Sequence, residues 1–179
     1  ALAERAEGGL SLVDFAALEL EPELAERFEH VVLVDPPSGS ADEVQVGRPR
    51  LAGAPSFLHE LWTESERRFA LTVAESQAPS RETVATVFKA LREAGECGGS
   101  GLREALAVGG AHPLGPVAAA RCFRVLAELD LVHGEPDAGD GTVGVVSSGG
   151  TKLERSTAFR SYSEEFLEAR LYLERRKLS

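Results

Sequence analysis

A metal, a phosphate or a proton relay each needs particular side chains at particular spacings, and four places in this sequence come near such a set. His59-Glu60 opens as a zinc-protease helix motif does, but the second histidine would fall at Thr63, so the motif is excluded. Gly98-Gly-Ser-Gly101 has glycines whose amides could cradle an anion, yet no Lys stands beside them, and it reads as a flexible linker. Asp130, His133, Glu135 and Asp137 carry ligand atoms for a divalent ion, but they fall on a strand and a hairpin tip, where charged residues are ordinary. Asp35 follows the run His30-Val-Val-Leu-Val34, at a strand end of the kind where α/β sheets hold ligands. It has no His or second acid near it, and a turn with Pro36 and Pro37 accounts for it. The four histidines are scattered. Cys97 and Cys122 lack metal-ligand spacing and read as free thiols of a reducing compartment. No catalytic residue, metal ligand or cofactor is assigned to the chain.

Cations remain as candidates for binding. Arg121 and Arg124 lie on one helical segment whose other outward positions are Ala119 and Ala120, a poor surface for reading bases. Lys152, Arg155 and Arg160 follow a predicted hairpin and could meet a phosphate backbone or a protein partner, or equally be solvated charges. Phe123 either lies exposed beside the arginines or packs on the C-terminal helix. Over the whole chain, 19 Lys and Arg face 29 Asp and Glu, a net of −10. Residues 1–79 carry 15 acidic against 6 basic side chains, whereas residues 80–179 carry 14 against 13. Backbone phosphates dominate nucleic-acid affinity, so a DNA clamp over the whole surface is excluded, and any contact must use a local patch in the second half.

The elements that must position these residues change in kind along the chain. Leu10-Ser-Leu-Val-Asp-Phe15 reads as a first strand, and Glu21-Pro-Glu-Leu-Ala-Glu-Arg-Phe28 as a helix with Pro in its first turn. The β-branched run His30–Val34 predicts a strand covered on both faces. Pro55-Ser-Phe-Leu-His-Glu-Leu-Trp62 is a third strand, and Thr63 with Glu66 forms a capping box. The helix it opens, about 64–76, is expected to bury Phe69 and Val73, with Glu64, Arg67, Arg68 and Glu75 facing water. Residues 1–78 thus predict a small three-stranded Rossmann-like half of the doubly wound type.

The pattern changes at Pro79 and Ser80. Ser80 caps a helix to about Ala94 with Val84, Val87, Phe88 and Leu91 on one stripe. Leu102 to Ala107 makes a second helix, and Pro113 opens a third that runs through Leu114, Cys122, Val125, Leu126 and Leu129. Leu131-Val-His133 and Thr142-Val-Gly-Val-Val-Ser147 flank a hairpin loop. Three helices and a β-hairpin over residues 79–162 predict a winged-helix half. Residues 163–179 predict a C-terminal amphipathic helix, from Ser163 to Lys177, bearing Phe166, Leu167, Leu171, Tyr172 and Leu173. No stretch approaches the roughly 18 apolar residues of a membrane span. The charged start is no secretory signal, and it begins mid-pattern in a chain without Met, so a piece of a longer cytoplasmic protein is expected.

Several segments, in the same order over nearly the whole chain, resemble one family. They are Gly9-Leu-Ser-Leu-Val-Asp-Phe-Ala-Ala-Leu18, Arg27-Phe-Glu-His-Val-Val-Leu-Val-Asp-Pro-Pro37, Leu58-His-Glu-Leu-Trp-Thr-Glu-Ser-Glu-Arg-Arg-Phe-Ala70, Val125-Leu-Ala-Glu-Leu-Asp-Leu-Val132 and Lys152-Leu-Glu-Arg-Ser-Thr-Ala-Phe-Arg-Ser-Tyr162. Together they resemble the region beyond the nuclease core in bacterial RecJ-type single-stranded-DNA exonucleases of the DHH family. Such enzymes degrade single strands from the 5′ end with Mn²⁺ or Mg²⁺ held by Asp-His-His-type motifs. No such motif occurs here, so the resemblance transfers no catalytic or metal residue, and the ions are expected only in the absent core. It implies a non-catalytic accessory domain in DNA repair and recombination that docks a helicase or another repair protein, or guides DNA. The acidic first half favours docking. The alternatives are an independent winged-helix transcription regulator and a small enzyme using the first half as a nucleotide fold.

Overall fold

The computed structural model describes residues 10–47, 57–107, 114–134, 141–146 and 151–176, and these form a mixed α/β protein dominated by helix. The chain divides into two compact units, Ala1–Thr72 with Glu168–Ser179, and Val73–Leu167.

In the first unit the expected strand at Leu10–Phe15 does not form. Leu10 is 98% exposed, so the apolar run buries nothing at its start. The Asp14 carboxylate instead accepts the Ala17 N–H at 2.8 Å and caps helix α1, Phe15–Leu20. A short polar side chain that can satisfy an orphan helical donor outweighs a brief apolar pattern. A 3₁₀ turn, Pro22–Arg27, follows with Pro in its first turn. Strand β1, His30–Leu33, helix α2, Ser40–Val46, and strand β2, Phe57–Glu60, then make a crossover unit in which β1 and β2 run parallel.

Among the described residues the sheet has two strands, not three. It is also covered on one face only. Leu33 and the partly buried Val31 pack with Leu18, Leu24, Ala25, Val46 and Trp62, whereas Val32 and Phe57 lie exposed. A β-branched run therefore signalled a strand here without signalling two buried faces.

Thr63 and Glu66 form the expected capping box: the Thr63 N–H donates to Glu66 Oε2 at 2.7 Å and the Ser65 N–H to Thr63 Oγ1 at 3.2 Å. The helix it opens is α3, Glu64–Gln77. Phe69, expected in a core, is exposed. Arg67, expected in water, is mostly buried and donates to the Leu173 carbonyl at 2.8 Å. Glu64 grips both Arg67 and Arg68, and those hydrogen bonds hold its carboxyl at about 2.

The second unit starts at Val73. Ser80 accepts the Thr83 N–H and caps α4, Arg81–Ala94, whose Val84, Val87 and Leu91 are buried. The supposed linker Gly98–Gly101 is ordered structure: Cys97–Gly98 is strand β3, and α5, Gly99–Leu106, begins at once. Glycine is needed at position 98 because a Cβ there would lie 2.7 Å from the Gly141 carbonyl oxygen, across the pairing with the next strand.

Helix α6, Pro116–Glu128, opens at Pro116, leaving Leu114 outside the helix. Pro113 lies outside the described residues. Strands β4, Val132–His133, and β5, Thr142–Val145, pair antiparallel, and β5 also pairs with β3, giving the order β3-β5-β4. The core joins α4, α5, α6 and these strands through Val87, Leu91, Leu102, Cys122, Val125, Leu126 and Val143. Phe123 belongs to this core, which answers the question of its exposure. Burial pushes the Cys122 thiol up to about 11.

The last helix, α7, is Thr157–Arg175, so it starts before Ser163. Leu167 and Leu171, expected on its apolar face, are exposed, while Ala169 and Leu173 are buried.

Candidate nucleic-acid or partner interface

All five candidate cations lie in the second unit, on α6, on the segment after β5 and on α7. Glu128, the last residue of α6, organises the place where these elements meet. Its Oε2 accepts the Ser156 hydroxyl and the Ala158 N–H, each at 2.9 Å. Ser156 in turn accepts the Phe159 N–H, and it is 1% exposed. The start of α7 is thereby held on the end of α6 by one carboxylate acting as a helix-terminal acceptor.

Hydrogen bonding from the Ala158 N–H, then from Ser156, holds the Glu128 carboxyl below its ordinary value of 4.5. A depressed carboxylate stabilises the fold above its unfolded pKa, and that contribution is lost as the pH falls through the folded value. We expect Glu128→Gln to be less stable than the parent at neutral pH. The gap should narrow on acidification below about 4.5, as read by denaturant unfolding at several pH values. A gap unchanged between pH 7 and pH 3 would contradict it.

Around this pivot the cations differ in how far they are committed. Arg121 is only 20% exposed, with its guanidinium 2.6 Å from Glu165 and 4.7 Å from the centre of the Tyr162 ring. It fastens α6 to α7 instead of facing outward. Arg124 is 69% exposed, and its Nε lies 3.7 Å from Glu128. Arg160 donates to the Glu154 carbonyl at 2.6 Å and to Thr157 Oγ1 at 3.2 Å. Glu154 also pairs with Arg81. Lys152 and Arg155 are exposed and have no ion-pair partner among the described residues.

Ala119, expected to point outward, is buried, while Ala120 is exposed. The free face of α6 is therefore Val117, Ala120 and Arg124, with little hydrogen-bonding capacity for base edges.

The other candidates can be placed as well. Asp35 is exposed after β1, and the two prolines behind it are buried, as a turn requires. Glu135 and Asp137 lie outside the described residues. Among the described residues no group of three or more His, Cys, Asp or Glu is placed to hold a metal ion. Two constellations escaped the sequence. One is the meeting of His30 and His59 across the parallel strands, which only the strand register could have revealed. The other is Arg176, gathered with Trp62, Tyr172, Glu43 and Glu60 from distant parts of the first unit.

Compared with known proteins, the chain matches no family model, no curated protein and no solved structure.

Proposed function

We propose that this chain is a non-catalytic accessory module of a RecJ-like 5′–3′ single-stranded DNA exonuclease, and that it docks a repair protein such as a helicase. The ordered segments quoted above support the family. In the second unit, the order α4, β3, α5, α6 and then the β4–β5 hairpin supports a winged helix. The parallel β1–α2–β2 unit supports a Rossmann-like part. Mn²⁺ or Mg²⁺ would belong to the nuclease core and not to this chain.

The observation that carries docking over DNA handling is the state of the cations on α6. Arg121 is held by Glu165 and Tyr162, so the helix that would enter a groove offers a single exposed cation, Arg124, and that one stands beside the Glu128 carboxylate. The same arrangement weighs against a winged-helix transcription regulator. Lys152 and Arg155 are too few for more than weak phosphate contact. Among the described residues, no helix is long and apolar enough to cross a membrane.

Fluorescence anisotropy of labelled single- and double-stranded oligonucleotides tests the choice. Flat traces are expected even at about 50 mM salt, where phosphate contacts are strongest. Micromolar binding that weakens steeply with salt, and that falls in an Arg124→Ala/Arg155→Ala variant, would transfer the role to DNA guidance. Co-elution of the chain with a repair helicase on size exclusion supplies the positive arm.

A further inference from the structure

The exposed face of the β1–β2 sheet carries a chemistry that neither docking nor DNA handling uses. The register sets His30 opposite Phe57 and Val32 opposite His59, which places His30, Val32, Phe57 and His59 on one face. His30 and His59 are diagonal neighbours there, and His30 Nδ1 stands 2.9 Å from His59 Nε2. Phe57 stacks on the His30 ring at 5.2 Å between centroids and 18° between planes, which limits that ring's rotation. The other nitrogen of His30, Nε2, lies 3.9 Å from the Glu29 carboxylate.

Two nitrogens bound to one ion at about 2.0–2.1 Å stand about 2.9 Å apart when they subtend a right angle, and about 3.3 Å apart at a tetrahedral angle. The observed separation therefore fits adjacent positions of a square-planar or octahedral ion. Without an ion the 2.9 Å contact is an N–H···N hydrogen bond, one ring donating and the other accepting, and an ion would displace that proton. The Glu29 carboxylate, 3.9 Å from Nε2, is beyond hydrogen-bond reach and adds only negative charge beside a cation.

We propose that His30 and His59 form a two-imidazole site for a divalent transition ion of Ni²⁺ or Cu²⁺ type. Two protein ligands leave the other coordination positions to water, so the ion exchanges readily. The site is independent of the docking proposal, since it lies in the first unit and involves none of the candidate cations.

Isothermal titration of the untagged chain with Ni²⁺ alone tests it. One saturable Ni²⁺ per chain is expected, lost in His30→Ala and in His59→Ala, and unchanged in His133→Ala. Zn²⁺, with its tetrahedral preference, should bind less tightly than Ni²⁺. Binding by either histidine variant as tight as the parent's, or no saturable binding by the parent, would overturn the site. Tighter Zn²⁺ than Ni²⁺ would overturn its right-angle geometry. Both histidines are exposed, so circular dichroism of each variant should match the parent; His30→Gln and His59→Gln serve in its place if an alanine variant does not fold.

Discussion

Gly134→Ala should destabilise the second unit by about 3 kcal/mol or more, because strain and collision act together. Gly134 ends β4 with φ of +111°, a conformation that side chains rarely adopt. A Cβ there would lie 2.0 Å from the Thr142 carbonyl oxygen and 2.9 Å from its carbon. Both atoms are backbone of the paired strand, so no rotamer change can relieve the contact. Either β4 and β5 separate, or the chain leaves the conformation that starts the hairpin. Gly144→Ala is the control. Its Cβ would meet the His133 ring at 2.6 Å, and that exposed side chain can swing away. Urea unfolding followed by far-ultraviolet circular dichroism measures both. Equal midpoints for the parent and Gly134→Ala would refute the collision.

Arg176→Ala is expected to cost about 2 kcal/mol, the second-largest single effect we foresee. The guanidinium is 25% exposed, 3.2 Å from Glu43 and 2.6 Å from Glu60. It also lies 5.5 Å from the centre of the Trp62 ring and 5.7 Å from that of Tyr172. Tyr172 donates its hydroxyl proton to Glu43 at 2.8 Å, and burial, together with that bond, pushes the phenol up to about 12. Removing the cation takes from Glu43 and Glu60 the counter-ion they share and leaves Glu43 only the Tyr172 hydroxyl, which is why truncation costs more than a surface ion pair is worth. Half of the loss expected for a fully buried pair is a fair discount for the partial exposure of all three groups. Arg176→Lys should recover only part of it, since an ammonium cannot stack on two rings while bridging two acids. Thermal unfolding of the three proteins, followed by Trp62 fluorescence, decides it. A lysine variant as stable as the parent would reduce the cluster to a simple charge effect.

The sequence was most legible where structure is decided within a few residues. Ser80 and the Thr63–Glu66 pair cap helices because the groups they satisfy lie three residues away. The stripe of Val84, Val87 and Leu91 is a core stripe because helical periodicity alone sets which side chains share a face. Legibility failed where a distant partner decides. Phe69 has the periodicity of a buried residue, yet it is 65% exposed, whereas Arg67 is mostly buried and the Leu173 carbonyl reaches it from near the end of the chain. Gly98 looked like linker because the backbone it must approach, at Gly141 just before β5, lies far along the sequence.

The candidate site follows the same rule. The identity of the five cations could be read directly, but the commitment of Arg121 depends on Glu165 and Tyr162, which share no local pattern with it. The two imidazoles looked scattered until a parallel register brought them to one face.

The chain contains a single tryptophan, Trp62, which is 4% exposed in the core of the first unit and has Arg176 over its ring. Its emission is therefore an optical label that nature has attached to one unit only. Excitation at the red edge of the indole band follows the first unit alone through any titration, while circular dichroism sums helices from both. Divergence of the two signals would show the units melting separately, and coincidence would show one cooperative transition.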